Sequence, residues 1–509
     1  MSEASQILQK IARGTGIVFA GTIISMFFGF LSRAVIARYF STGEYGVFNL
    51  ALTVLSIVLV IATLGFQNAL PREVAFYKER EPSKVGDLTS TALMIVAVNS
   101  LVWTAILFAG VESISRLFGD ERLVGALRIA VFALPFWALT GVIISISRGF
   151  GRVREQVYFQ NIIYPMLFMA FVVVGAFLEL PFAFVFGAHV AAWGLTFLAL
   201  MFSIRKDDLL KFRISLSSNL GKELVKFSIP LMLTGIAGFV MTWTDTLMLG
   251  YYLGSDVVGL YNGAAPIAKL LPIFLNSAGL IFPPLATVLY THGKINELNR
   301  VYQILTKWIF LGTFPLFALI FLFPAATINL FFGAKYISAA PALQILALGF
   351  MFHTLLGLNG WSLIVIRESN FIMYSTLISA GINVALNILL IPHYGIEGAA
   401  VATTASYFAM NVLNSLRLYQ KTGIHPLGQS YLKSLVIGFV LLGLVLGLHL
   451  RVSSIWCAIP ILVVFTGVYL LLVLLSGSID MEDVELLLVI EKRLGVELKV
   501  VKKILGRFV

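Results

Sequence analysis

The chain has 509 residues, of which 59% are hydrophobic and only 12% are charged. A soluble globular protein carries roughly 25% charged residues, so the composition excludes an ordinary soluble enzyme, a disordered protein and a receptor with one membrane anchor. The formal net charge is +11. In a protein with many spans, such an excess is typical of basic cytoplasmic loops rather than of nucleic-acid binding. The single cysteine, Cys457, leaves no disulfide framework.

Long apolar runs predict fourteen membrane-spanning helices, since a span needs about 20 mostly apolar residues. We therefore expect an all-α polytopic membrane protein. The predicted spans cover residues 15–39, 46–70, 85–109, 124–147, 157–178, 182–204, 224–250, 258–288, 301–323, 341–366, 371–391, 395–418, 431–450 and 455–475. A bend is expected in the eighth span, because it holds Pro266, Pro272, Pro283 and Pro284. Residues 479–507 combine apolar residues at helical spacing with charges, which predicts an amphipathic tail on the membrane or the lobes.

The basic residues separate to one side of this fourteen-span arrangement. Of the 36 Lys and Arg residues, 28 fall in the loops of one side or in the tail. The eight others lie in spans or in the opposite loops: Arg33, Arg38, Arg116, Arg122, Arg128, Lys269, Lys335 and Arg451. Because cytoplasmic loops are enriched in Lys and Arg, we expect a multi-pass protein of the plasma membrane with both termini in the cytoplasm.

The sequence also repeats itself at an offset of 213 residues. Residues 37–51 align with 250–264, and the identical pairs are Tyr39/Tyr252, Gly46/Gly259, Asn49/Asn262 and Ala51/Ala264. The same offset pairs Arg154-Glu155 with Arg367-Glu368. We therefore expect spans 1–6 and 7–12 to be parallel six-helix repeats around a cleft, as in transporters that work by alternating access. The predicted parts are an N-lobe at 1–204, a cytoplasmic linker at 205–223, a C-lobe at 224–418, two further spans within 419–476 and a cytoplasmic tail at 477–509.

Three segments of the repeat carry a family resemblance. SRAVIARYFSTGEYGVFNLA (32–51), DTLMLGYYLGSDVVGLYNGAA (245–265) and YGIEGAAVATT (394–404) resemble the first, seventh and twelfth helices of the polysaccharide-transporter branch of the multidrug/oligosaccharidyl-lipid/polysaccharide (MOP) flippase superfamily. The resemblance covers about residues 10–475. It implies a flippase, not an enzyme, that moves a polyprenyl-(pyro)phosphate-linked oligosaccharide from the cytoplasmic to the outer leaflet, for surface polysaccharide or glycoprotein assembly. It implies no cofactor.

The lipid II flippases of this superfamily have an Arg-Asp pair late in the first helix. The matching residues here are Arg33 and Ala34, so the Asp is missing. A further Arg of that group is matched by Phe27. These departures argue against a flippase for peptidoglycan precursors.

Two charged residues predicted to lie inside spans come from the two copies of the repeat. Arg33 lies in the first span and Asp245 in the seventh, at depths that the repeat makes equivalent. A charge at the centre of a span costs about 2.5–3.5 kcal/mol or more, so it faces a cavity or a partner. One interpretation is that Arg33 lines the cleft and attracts the carrier phosphate, while Asp245 closes an outer gate or binds a coupling ion, H+ or Na+. The other is an ion pair that only sets the packing.

Lys269 and Arg38 are the other cationic candidates. Lys269, near the middle of the eighth predicted span, suits an anionic head group, or else pairs with Asp245. Arg38, at the end of the first span, contacts the substrate or extends to the membrane interface. In the loops, Arg148, Arg152, Arg154, Arg205 and Lys206 either gather the anionic carrier at the cytoplasmic mouth or only set the topology.

Polar amides inside the predicted spans are candidate ligands for sugar hydroxyl groups. Asn383 and Asn387 are four residues apart, which places them on one face of the eleventh span. The alternative is that such amides join helices to each other. The other candidates are Gln67, Asn68, Asn161 and Asn359. The expected partners are a lipid-linked oligosaccharide, membrane lipid and a coupling ion, but no nucleic acid, and the expected transport unit is a monomer.

Two other functions are alternatives to the flippase. An ion-coupled multidrug antiporter of the same superfamily would favour acidic residues in the N-terminal cleft, but there are none between Thr15 and Gly43. A membrane-embedded glycosyltransferase or polymerase would need an acidic catalytic residue in a large outer loop, whereas the predicted outer loops are short. The sequence has no nucleotide-binding P-loop and no spacing typical of a metal site.

Overall fold

The computed structural model describes residues 3–206, 218–448 and 455–478, and regular structure in these ranges is helical. Eleven helical segments in these ranges are long and apolar enough to cross a membrane, or up to twelve if one bent pair counts as a span. The chain is therefore an all-α polytopic membrane protein, as predicted. The exact count of fourteen spans stays a prediction. The predicted tail at 479–507 and the linker residues 207–217 lie outside the described residues.

The helices of the first half are α1 Glu3–Tyr39, α2 Thr42–Ala62, α3 Phe66–Arg80, α4 Pro82–Phe118, α5 Arg122–Ala130, α6 Ala133–Gly149, a π-helix at Gln156–Ile163, α7 Tyr164–Phe177 and α8 Ala183–Lys206. The helices of the second half are α9 Ser218–Leu253, α10 Ser255–Ala268, α11 Ile273–Thr291, α12 Ile295–Leu322, α13 Pro324–Phe331, a 3-10 helix at Ala334–Ala339, α14 Ala340–Leu355, α15 Asn359–Val365, α16 Ser369–Thr422, α17 Gln429–Gly447 and α18 Ile455–Leu475.

The helix boundaries follow the sequence repeat. Helix α10 begins 213 residues after α2, and α12 begins 213 residues after α4. Helix α2 begins with a capping box, in which Ser41 Oγ accepts from the Glu44 amide at 3.2 Å and Glu44 Oε2 accepts from the Ser41 amide at 2.9 Å. The expected bend in the eighth span is a break between α10 and α11 that ends at Pro272, the residue before α11. Equivalent helices thus begin at equivalent residues, which supports two repeat copies with the same order of helices.

The chain packs into two compact units. The first comprises Met1–Gly263 and Asn383–Ala399, and the second comprises Ala264–Ile382 and Ala400–Val509. The first unit therefore contains α2 of the first repeat copy together with the beginning of α10 from the second. The predicted lobe boundaries describe the repeat rather than these units, and they stay a prediction.

Aromatic side chains form much of the interior of the first unit. The rings of Tyr164 and Trp193 stack with centroids 4.0 Å apart, and Trp137 stacks on Trp193 at 5.1 Å. Buried His189 lies among them, with its Nδ1 atom 3.0 Å from the Tyr164 hydroxyl. Such pairs contribute beyond their buried area, so α6, α7 and α8 are fixed around this cluster. His189 is therefore part of the packing between these helices.

The second unit has its own aromatic core where α12 packs on α17 and α18. Phe314 contacts Tyr469 and Phe439 with ring centroids 5.0 and 5.7 Å apart. On the same helix α12, buried Lys307 donates from Nζ to the backbone carbonyl of Ser478 at 3.0 Å. The two C-terminal helices are therefore anchored to the body of the second unit through α12.

Helix α16 is interrupted at one glycine. Gly395 has φ 54° and ψ −128°, whereas the residues on either side are helical. A residue with a Cβ atom is strained in this conformation. Three residues on, Gly398 lies so close to the chain that an added Cβ atom would be 2.5 Å from the carbonyl oxygen of Leu390. Gly395 therefore divides a 54-residue helix where the sequence predicts the change from the eleventh span to the twelfth.

We expect Gly395→Ala to lower the free energy of unfolding by about 1–3 kcal/mol, because alanine is strained at this backbone conformation. The matched control is Gly381→Ala in the same helix, where the backbone is helical and an added Cβ atom meets no atom within 4 Å. The control should leave the protein as stable or slightly more stable. Thermal unfolding in detergent, followed by size-exclusion chromatography, measures the difference. Equal midpoints for the two variants would contradict the assignment of strain to Gly395.

Candidate functional site

The first unit contains a buried carboxylate that is surrounded by hydrogen-bond donors. Asp245 on α9 is 6% exposed. Its Oδ1 atom accepts from Asn387 Nδ2 at 2.9 Å and from Asn383 Nδ2 at 3.4 Å, and its Oδ2 atom accepts from the Tyr261 hydroxyl. A buried charge is costly unless it is paired or hydrogen-bonded. These hydrogen bonds therefore replace part of the hydration that the carboxylate loses on burial.

The geometry of α16 explains why two of these donors meet one carboxylate. Asn383 and Asn387 are one helical turn apart and completely buried, and residues at this spacing share a helix face. Asn387 also donates to Asn383 Oδ1 at 3.1 Å. The predicted shared face of these amides is confirmed. The sequence placed them as sugar ligands or helix contacts, but not next to Asp245.

The Oδ1 atom of Asn387 is buried and has no hydrogen-bond partner among the described residues. Leaving a buried acceptor unpaired costs about 1–3 kcal/mol. The carboxylate of Asp245, the Tyr261 hydroxyl and the two amide groups all offer oxygen atoms as ligands, and hard cations prefer oxygen ligands. Within the described residues, no group of three His, Cys, Asp or Glu side chains could hold a metal ion. This Asp245 site therefore consists of a carboxylate, a hydroxyl and two amides, without a group of three metal-binding side chains among the described residues.

Arg33 lies on α1 in the same unit, half-buried within the predicted first span. Its charge interacts with the hydroxyl groups of Tyr45 and Tyr164. In the part of the chain that the structure describes, no carboxylate forms an ion pair with Arg33, so the ion pair with Asp245 that the sequence left open is not formed. Arg33 is thus a cation within a predicted span that has no acidic partner among the described residues.

The other predicted site residues have surroundings of their own. Arg38 is exposed in the last turn of α1, and Lys269 of the second unit is exposed just after α10. Asn68 is exposed, whereas Gln67 is half-buried. The backbone carbonyl of Gln67 accepts from Ser145 Oγ at 3.0 Å. Asn161 lies in the π-helix, with its Cβ atom next to Gly21 of α1.

Asn359 of the second unit supports the packing interpretation. Its Nδ2 atom donates to the Asn411 carbonyl at 3.2 Å and to Ser415 Oγ at 3.0 Å, and its Oδ1 atom accepts from the Gly360 amide at 2.6 Å. The side chain is buried. It therefore joins α15 to α16 and has no unpaired group left for a sugar.

Two acidic residues that the sequence analysis did not single out bind several of the loop cations. Glu155 is 1% exposed and forms ion pairs with Arg152 and Arg154, the latter at 3.0 Å. The signal was present in the repeat, because its offset pairs Arg154-Glu155 with Arg367-Glu368.

In the second unit, Glu368 forms ion pairs with Arg417 at 2.9 Å and Lys421 at 3.2 Å. Hydrogen bonds from Arg417 hold the pKa of Glu368 below its usual range. With these acids in place, the topology interpretation of Arg152 and Arg154 gains support over carrier binding.

The comparisons with known proteins agree with this architecture. The chain matches the family model described as "Polysaccharide biosynthesis protein" over residues 11–288 and the MatE model over residues 230–389. It is 24% identical over 449 residues to the probable low-salt glycan biosynthesis flippase Agl15 of Haloferax volcanii, covering 85% of this chain and 89% of that protein. It is 22% identical over 458 residues to the lipid II flippase MurJ of Bacillus subtilis, covering 81% of this chain and 83% of that protein.

A solved structure shows the same fold. The structure of a lipid II flippase MurJ in an inward closed conformation superimposes with a TM-score of 0.73 at 16% identity, covering 89% of this chain and 98% of that one. The first family model covers more than half of the sequence. The resemblance noted in the first, seventh and twelfth predicted helices is confirmed, and the chain belongs to the polysaccharide biosynthesis protein family.

Proposed function

We propose that this protein is a flippase that moves a lipid-linked oligosaccharide from the cytoplasmic to the outer leaflet of the plasma membrane by alternating access. Membership of the polysaccharide biosynthesis protein family supports this function, as do relatives whose names describe a glycan flippase and a lipid II flippase. The observation that carries the proposal is Arg33, a cation within a span with no acidic partner among the described residues. The substrate's (pyro)phosphate supplies the missing negative charge.

The chemistry of Arg33 fits this role. A guanidinium group binds phosphate oxygens through two parallel hydrogen bonds, and such charge-assisted bonds are about twice as strong as neutral ones. The Tyr45 hydroxyl donates to the Asn262 carbonyl and the Tyr164 hydroxyl bonds to His189, so Arg33 is the group that binds the phosphate. The phosphate binds at Arg33, the glycan occupies the predicted cleft, and the polyprenyl chain remains in the lipid. Closure of the cytoplasmic side then exposes the head group to the outside.

Asp245 is the proposed site for a coupling ion, H+ or Na+. As a carboxylate, it accepts hydrogen bonds from Tyr261, Asn383 and Asn387. A proton would neutralise it, and a cation would take the carboxylate oxygens together with the unpaired oxygen of Asn387. Asparagine oxygen and nitrogen exchange places by a half-turn of the amide group, so the same side chains can serve both states.

A multidrug antiporter is the second candidate, because the MatE model matches residues 230–389. Organic cations would favour a carboxylate where α1 instead carries Arg33, and the stretch from Thr15 to Gly43 has no acidic residue. The distribution of basic residues supports a plasma-membrane location with both termini in the cytoplasm. We propose a monomeric transport unit, since each chain carries both copies of the repeat. Resistance to cationic drugs on expression, without lipid transport, would favour the antiporter.

We expect Arg33→Gln to slow transport roughly 10- to 100-fold, because a hydrogen bond to a charged group contributes about 1.5–3 kcal/mol. Arg33→Lys should restore part of the rate, since it keeps the charge but loses the paired geometry. The measurement is flipping of a fluorescent undecaprenyl-phosphate-linked sugar in proteoliposomes. Arg116→Gln, an exposed arginine at the end of α4, is the control and should transport normally. Full activity of Arg33→Gln would contradict the substrate role.

Asp245→Asn is expected to abolish the response of transport to imposed proton or sodium gradients, while downhill equilibration of the probe continues. The physical reason is that asparagine cannot titrate and carries no charge for a cation. Flipping rates with and without each gradient provide the measurement, and the exposed Glu121→Gln serves as control. If the wild-type protein ignores both gradients, ion coupling at Asp245 is excluded.

A further inference from the structure

Two helices of the first unit touch through their backbones at two glycines. A Cβ atom added to Gly46 of α2 would lie 1.7 Å from the carbonyl oxygen of Ser255, and one added to Gly259 of α10 would lie 1.9 Å from the carbonyl oxygen of Thr42. Contacts of real Cβ atoms below 3.0 Å essentially never occur. No residue other than glycine therefore fits either position while the helices keep this distance.

The contact is reciprocal under the sequence repeat. Gly46 and Gly259 are equivalent at the offset of 213, and so are Thr42 and Ser255, the first residues of α2 and α10. Each glycine thus meets the first residue of the other copy's helix. A contact in which the same surface is used by both partners is isologous, as at a two-fold axis. The two repeat copies meet here through one self-complementary surface.

A polar rim surrounds the glycines at the start of both helices. Thr42 Oγ1 donates to Asp256 Oδ1 at 3.2 Å, and Arg122 lies 3.9 Å from Asp256 and 2.8 Å from Asp120. Burial raises the pKa of Asp120, but hydrogen bonds from Arg122 and Ser255, together with the Arg122 charge, hold this pKa below its usual range. The Arg122 and Asp256 side chains are exposed, and exposed pairs contribute little. The backbone contact, rather than the rim, therefore sets the distance between the helices.

We propose that the Gly46–Gly259 contact is the outer gate of the transport path, and that the absence of both side chains sets how firmly the gate closes. This inference rests on the proposed function, since alternating access requires the two repeat copies to part on the outer side. The charge distribution assigns the starts of α2 and α10 to that side. Small residues let helix backbones approach closely in membranes. A contact without interlocking side chains can also open without repacking a core.

The gate is tested by cysteine accessibility, with Asn262→Cys as reporter in a Cys457→Ser background. Asn262 is buried, one turn beyond Gly259. Gly46→Ala and Gly259→Ala should each raise labelling of this cysteine by a membrane-impermeant maleimide roughly tenfold, because a rare open state becomes common. The two variants should give the same shift, as the contact is reciprocal. Unchanged labelling in both would overturn the proposal.

Gly125→Ala is the matched control, since its added Cβ atom meets nothing within 4 Å, and its labelling should equal that of the reporter alone. Alanine is the better helix former, so increased labelling of the gate variants does not arise from weaker helices. If only one of the two gate variants changes labelling, the contact is not reciprocal and the gate as proposed is wrong.

A cross-link tests the same gate in the opposite direction. The side-chain tips of Thr42 and Asp256 are 3.2 Å apart, so Thr42→Cys with Asp256→Cys should join on mild oxidation. The cross-link should stop flipping of the fluorescent undecaprenyl-phosphate-linked sugar by at least about tenfold, and reduction should restore it. Continued flipping by the cross-linked protein would overturn the gate. Failure of the wild-type protein to flip the probe would instead overturn the proposed function, whereas the labelling assay still measures the gate.

Discussion

The low polarity of the bilayer core is the constraint on which the structure depends. It solvates neither charges nor backbone groups, so spans are helical and each charge within them needs compensation. Asp245 receives three side-chain donors from α10 and α16. Arg33 has the hydroxyl groups of Tyr45 and Tyr164 in its field but no acid among the described residues. Under the proposed function, the first arrangement binds the coupling ion and the second binds the anionic head group.

At the ends of the spans a charge costs less free energy than at the centre. There, two acidic residues neutralise several of the cations within the chain. Glu155 forms ion pairs with Arg152 and Arg154 in the first unit, while Glu368 forms ion pairs with Arg417 and Lys421 in the second. Cations that are bound in this way attract a phosphate less strongly than free ones, because the neighbouring carboxylate cancels most of their field. Under the proposed function, Arg33 inside the membrane is therefore a stronger determinant for an anionic substrate than these paired cations at its edge.

Features that depend on local sequence could be predicted, whereas features that depend on distant partners could not. Composition and apolar runs gave the all-α membrane fold, and the prolines gave the break before α11. The shared face of Asn383 and Asn387 followed from their spacing, but their contact with Asp245 did not, because it joins residues 138 and 142 positions apart. The π-helix at Gln156–Ile163 had no sequence signal. The identity of Gly46 with Gly259 was visible in the repeat, but only the packing showed that the two copies meet there.

Helix α10 links the Asp245 site to the glycine contact. Tyr261 and Asn262 follow Gly259 by two and three residues; the Tyr261 hydroxyl donates to Asp245, and the Asn262 carbonyl accepts from Tyr45 of α2 at 3.2 Å. Under both proposals, an ion on Asp245 competes with Tyr261 for the carboxylate oxygens. Residues within one turn of a helix move together, so a rotation of α10 that releases Tyr261 also moves Gly259 away from Thr42. Coupling between two sites requires an element with two positions that both sites bias. Under both proposals, helix α10 is the element that both sites contact, so an ion at Asp245 can act on the Gly46–Gly259 contact without touching the glycan.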